Sequence, residues 1–165
     1  MQENETGKRL CAIIGEDPEE LPFGYDEEYP TCIFMKQQIV SGMLEAMKQG
    51  VSGFISSLEQ GVEMWSAEAC DAIRRMGGGL SFIAVPLSEN QADRWHPERR
   101  ERYFDLIDRS DETCYPTETV TSEEYILDRI SFLIVFGEPA SGHAKTMLDG
   151  AKARGIPITH IGFSA

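Results

Sequence analysis

The stretch Gly53-Phe54-Ile55-Ser56-Ser57-Leu58-Glu59-Gln60-Gly61-Val62-Glu63-Met64-Trp65 decides the fold. It opens as a short apolar run, passes through a tight polar turn and enters a helix. That helix carries Val62, Trp65, Ala69, Ile73 and Met76 at helical spacing, from about 61 to 76. A strand that turns straight into a helix is the unit of an open α/β sheet. In such sheets small ligands dock where the strand's carboxyl end meets the helix N-terminus, because backbone N–H groups point outward there.

The same unit recurs along the chain. Arg9 to Gly15 is a continuous apolar run ending in Gly, as expected of a strand buried on both faces. Residues 16–30 hold three prolines and a Gly, a loop long for a βα connection, and long loops often carry function. A helix follows over about 32–49 and stops at Gly50; strand two spans about 53–57. Gly77-Gly78-Gly79 ends helix two, and Leu80–Leu87 is strand three. Pro97 fits the first turn of a helix running to about Arg109. A weak strand at 112–116 and a short helix at 122–129 follow, the latter with Ser122 as its expected cap. Phe132–Gly137 is another buried strand, Ser141–Arg154 a helix closed by Gly155, and Ile156–Phe163 the last strand. This alternation predicts an α/β, Rossmann-like domain: a mainly parallel sheet of about six strands, with helices on both faces. The expected organisation is one domain over 9–165 behind a disordered polar segment, 1–8.

Composition narrows the function classes. Of 165 residues, 41% are hydrophobic and 26% charged, as in an ordinary globular protein. The N-terminus lacks a signal peptide's apolar core and no apolar run is long enough to span a bilayer, so a cytoplasmic location and no membrane partner are expected. Fifteen Lys and Arg against 28 Asp and Glu give a net charge of −13, which argues against nucleic-acid binding. Cys11, Cys32, Cys70 and Cys114 show no Cys-x-x-Cys spacing and read as reduced structural thiols. His96, His143 and His160 share no metal-ligand spacing, so no metal site is expected.

Four strand ends carry small or polar residues: Gly15-Glu16, Ser56-Ser57, Pro86-Leu87-Ser88 and Gly137-Glu138. On a doubly wound sheet they share one rim, where a crevice belongs. Gly137 to Thr146 invites a phosphate-loop reading, but Lys145 falls two residues after the place that pattern requires, and two helical steps aim it at another face. No Gly-x-Gly-x-x-Gly follows strand one, which argues against a standard NAD(P)-dehydrogenase site. His143 sits at a helix start on the rim, as a site residue or a simple cap. Trp65 reads as core. Trp95, beside Gln91 and Arg94, could stack on a planar base or merely cover the sheet end. Arg94, Arg99, Arg100 and Arg102 form a basic cluster that reads as salt-bridged helix surface, with Arg94 nearest the rim. Among the carboxylates Glu59, Glu63 and Glu68, Glu63 could act as a base, complement the helix dipole or hold a ribose hydroxyl.

These residues resemble the YpsA-like family of the SLOG superfamily, which also includes the SMF/DprA proteins and the lysine decarboxylase-like phosphoribohydrolases. The carriers are Ile13-Ile14-Gly15 with Pro18, Leu21-Pro22-Phe23-Gly24-Tyr25-Asp26, Phe54-Ile55-Ser56, Gly61-Val62-Glu63-Met64-Trp65 with Ala67-Glu68, and Pro86 with Gln91 and Trp95, within roughly 9–163. The resemblance implies a Rossmann-like fold with a nucleotide-derived ligand at the strand carboxyl ends. Ser57 stands where the family usually has Gly, Glu63 where it has Asp, and Glu16 where a basic residue usually follows the first strand. The phosphoribohydrolase Pro-Gly-Gly-x-Gly-Thr-x-x-Glu is reduced to Thr146 and Asp149 at the right spacing.

The leading expectation is a domain that binds or senses a nucleotide or ADP-ribose-like molecule without strong catalysis. Its site would use Gly15, Ser56, Ser57, Gly61, Glu63, Gln91, Trp95, Gly137, Ser141, Gly142 and His143. A nucleotide N-glycosidic hydrolase and an interaction protein with an empty crevice are the alternatives. Rossmann-like domains often dimerise, which leaves a homo-oligomer open.

Overall fold

The computed structural model describes residues 7–18, 21 and 23–162. The elements, in order, are β1 (Leu10–Gly15), α1 (Pro30–Lys48), β2 (Gly53–Ser56), α2 (Val62–Arg75), β3 (Ser81–Ala84), α3 (Pro97–Arg109), β4 (Glu112–Thr113), α4 (Ser122–Leu127), β5 (Ile130–Phe136), α5 (Gly142–Ala153) and β6 (Ile158–Ile161). The strands form one sheet in the order β4-β3-β2-β1-β5-β6, and every pairing is parallel. This is the α/β, Rossmann-like architecture expected from the alternation. The expectation for residues 1–8 falls mostly on residues outside those described.

Both faces of the sheet are buried, and side chains alternate between them along each strand. Cys11 and Ile13 of β1, Phe54 of β2 and Phe82 of β3 join Ile39, Met43, Trp65 and Leu106 in one core beneath α1, α2 and α3. Leu10, Ala12 and Ile14 face the other way, into a second core with Ile126, Leu127, Met147 and Leu148 of α4 and α5. The continuous apolar runs follow from this two-sided burial. Cys11, Cys32 and Cys70 are buried free thiols, and Cys114 is a half-buried one. No helix among the described residues is long and apolar enough to cross a membrane.

Element ends differ from the sequence expectation for definable reasons. Helix α1 begins at Pro30, before the expected 32, because proline's fixed φ and missing N–H suit the first helical turn. Strand β3 stops at Ala84; Val85 still donates to Ser56 O at 2.8 Å, but Pro86 has no N–H to continue. Strand β4 is only two residues long. The cap of α4 is Thr121, whose Oγ1 accepts from Glu124 N at 3.1 Å, and not Ser122. Ser122 Oγ instead donates to Pro86 O, tying α4 to the end of β3. Strand β6 is Ile158–Ile161, and the predicted end at Phe163 lies outside the described residues.

The loop before α1 folds back on the helices. Phe23 packs on Trp65 with ring centroids 6.3 Å apart, and Arg99 lies 4.5 Å over the Tyr25 ring. Arg102 of α3 holds Glu27 of this loop at 2.6 and 2.8 Å and Glu68 of α2 at 2.6 and 3.1 Å. The expected salt-bridged basic surface is therefore centred on Arg102.

Candidate functional site

From β1 the chain moves through α1 on one face to β2; from β5 it moves through α5 on the other face to β6. Strand order therefore reverses between β1 and β5, and the two connections diverge and leave a crevice at the strands' carboxyl ends. A cavity of about 240 Å³ occupies that position. Gly15, Glu16 and Asp17 after β1 form one wall, Glu59, Gln60, Val62 and Glu63 at the start of α2 a second, and Pro139 with Ser141 to Ala144 at the start of α5 the third.

Close backbone approach makes this arrangement possible. A Cβ on Gly15 would lie 2.6 Å from Val62 Cγ2, so glycine lets β1 end directly against α2. Gly61, at φ 97°, caps α2, and a Cβ there would meet Pro18 at 2.9 Å. The two serines between β2 and α2 brace the turn. Ser56 Oγ accepts from Leu58 N at 3.0 Å and donates to Glu63 O at 3.1 Å. Ser57 Oγ accepts from Glu59 N at 3.2 Å and donates to Glu63 Oε1 at 2.9 Å. Leu58 adopts φ 61°, rare for a branched side chain, while its side chain is fully buried. That twist lets Leu58 enter the core while its neighbour Glu59 lines the cavity.

The centre of charge is a carboxylate–imidazole–carboxylate chain. His143 Nε2 lies 2.7 Å from Glu63 Oε1, and Nδ1 lies 2.8 Å from Glu123 Oε2. Burial alone would lower the His143 pKa, but the two flanking carboxylates outweigh it and push it up to about 10. The ring is an imidazolium at neutral pH, donating from both nitrogens. The hydrogen bond from His143 holds the Glu123 carboxyl below its usual range. Glu59 moves the other way: burial, and then the charge on Glu63, raise its pKa.

The structure brings Gly15, Glu63, Ser141, Gly142 and His143 to the cavity walls. Ser56, Ser57 and Gly61 support the wall from within the turn. Gln91 is a brace: its Oε1 accepts from Leu87 N at 2.6 Å and its Nε2 donates to Ser57 O at 3.1 Å. Trp95 packs edge-on against Tyr103, with centroids 5.3 Å apart, and so covers the core. Gly137 extends the sheet, its N–H donating to Ile161 O at 2.9 Å. Neither Trp95, Gln91, Gly137 nor Arg94 lines the cavity. Thr146 Oγ1 donates back to Gly142 O, and Asp149 pairs with Lys145 at 2.9 Å on the exposed side of α5. Glu123 is the participant that sequence reading missed, since nothing in a short acidic helix start marks a partner 20 residues away.

Chemically, the cavity is rich in acceptors and poor in cations. Among the described residues, four carboxylate residues line it, no Lys or Arg does, and its one cation is already engaged by two carboxylates. Among the described residues no group of three His, Cys, Asp or Glu side chains is placed to hold a metal ion. The N-cap residues of α2 and α5, Gly61 and Ser141, make no side-chain cap hydrogen bond, so backbone N–H groups at two helix starts flank the same space.

No curated protein matches the chain. The sequence profile of the YspA SLOG family matches residues 11–153, a span that contains all three cavity walls together with Trp65 and the aromatic loop packed on it. With most of its length matched, the chain belongs to the YspA SLOG family.

Proposed function

We propose that the protein binds or senses a small nucleotide-derived ligand in the cavity between β1, β2 and β5, without strong catalysis. The carrying observation is the position of that cavity: it lies where strand order reverses, with two helix starts and the end of β1 as walls. Membership of a SLOG family supports a nucleotide-derived ligand class. A thermal-shift screen with adenosine, guanosine, AMP, cyclic nucleotides, NAD and ADP-ribose tests the reading. A binder at 100 times its Kd should stabilise the fold by about 2.7 kcal/mol. Ser141→Trp should abolish that shift by filling the mouth. It should hardly change the melting of the free protein, because Ser141 is exposed and caps no amide through its side chain. Absence of a shift with every ligand of this class would sink the proposal.

The second reading is N-glycosidic hydrolysis, favoured by one observation: Glu59, raised in pKa, lies in the cavity beside Glu63. Two neighbouring carboxyl groups, one of them with a raised pKa, are the kind of pair that can protonate a leaving base and support water attack. Base release from AMP that disappears in Glu59→Gln would establish it; a flat time course at high protein concentration would dismiss it.

A further inference from the structure

We propose that the cavity selects the unphosphorylated nucleoside and rejects its phosphate esters. This rests on the reading of the cavity as the site of a nucleotide-derived ligand, and it sharpens the ligand class.

The walls that a phosphate would face carry the chain's own acidic side chains, Glu16, Asp17, Glu59 and Glu63. Glu63, on the first turn of α2, is held by Ser57 and His143. Glu59 accepts from Gln60 N at 3.1 Å, and Glu16 accepts from Glu138 N at 3.4 Å, in the loop leading from β5 to α5. A phosphate would have to sit among these acidic groups. Nothing in the walls compensates. The imidazolium of His143 spends both N–H groups on Glu63 and Glu123, and among the described residues no Lys or Arg lines the cavity.

What the walls offer suits a neutral ligand rich in hydrogen-bond donors. Glu16 and Glu59 present carboxyl oxygens as acceptors, and the side-chain amide oxygen of Gln60 makes no hydrogen bond among the described residues. A ribose cis-diol supplies two O–H donors at the spacing of one carboxylate, and an exocyclic amine of a base supplies more. Size agrees: about 240 Å³ lies below the roughly 300 Å³ at which pockets for larger ligands begin, so a dinucleotide would not be enclosed.

Titration calorimetry on the full chain tests this. The ligands are adenosine, guanosine, cytidine and uridine, each against its 5′-mono-, di- and triphosphate, with NAD and ADP-ribose alongside. The expected result is at least a tenfold loss of affinity when the best nucleoside gains its first phosphate. That loss should shrink as salt is raised, because screening weakens repulsion. Glu16→Lys should narrow the gap between nucleoside and monophosphate at least tenfold. Glu16 is only half-buried, and unchanged melting of the variant checks that its fold is kept. Tighter binding of phosphorylated ligands than of nucleosides overturns the proposal and leaves the site reading standing. No heat with any member of the panel, in the native chain or the variant, overturns both.

Discussion

His143 holds a charge that most buried histidines lack. Its side chain is 9% exposed and that of Glu63 7%, so both ions have given up most of their water. Such a pair is a weak net source of stability, but breaking it is costly, because the remaining ion stays buried alone. His143→Ala should therefore destabilise the fold by about 3 kcal/mol, measured by urea unfolding at pH 7. The sign of the pH dependence follows from the raised value. The folded ring titrates near 10 and the unfolded one near 6.5, so its stabilisation is complete below 6.5 and is lost as pH rises towards 10. Unfolding measured at pH 6, 8 and 10 should show that alkaline loss in the native chain and a flatter profile in His143→Ala. His143 was legible as a rim residue because helix starts are predictable. Its charge state was not, because that depends on Glu123, which α4 delivers through tertiary packing.

At the scale of elements, the loop between β1 and α1 does structural work. Length and proline content marked it as a functional loop; its first residues, Glu16 and Asp17, line the cavity, while Phe23 and Tyr25 pack on Trp65 and Arg99, and Glu27 on Arg102. The two most distinctive runs of the family resemblance, around Phe23 and around Trp65, are thus two sides of one contact. Glu27 reports on it. Burial would raise its pKa, but hydrogen bonds from Arg102 and Lys36 outweigh that and pull it down to about 2. A depressed carboxyl stabilises above the unfolded value near 4.5, and that contribution fades as pH falls from 4.5 towards 2. Arg102→Met should cost about 2 kcal/mol at pH 7 and remove part of this acid sensitivity, read from melting curves between pH 2.5 and 7. Strands buried on both faces were legible because apolar runs have no competing reading in an alternating chain. The ends of strands and helices were less so: Pro30, Pro86 and Thr121 set boundaries by single hydrogen bonds made or missing.

For the whole molecule, the net charge of −13 sets the electrostatics. Compacting so many carboxylates costs self-repulsion, and screening relieves it. The melting temperature should rise by about 3 °C between roughly 10 mM and 200 mM sodium chloride, by calorimetry. A fall over that range would mean that the ion pairs around Arg102 and His143 outweigh the repulsion. The parallel sheet itself carries a further consequence. Its central strand pairs early neighbours on one side and a distant strand on the other: Cys11 sits beside Phe54, but Ile13 beside Ile134. Contacts that span so much chain form late and slowly. On a ribosome, β1, β2 and β3 emerge while the partner edge of β1 is still unmade. The crevice does not exist until α5 has been synthesised and has docked, so no ligand can recognise the nascent chain before that helix is made.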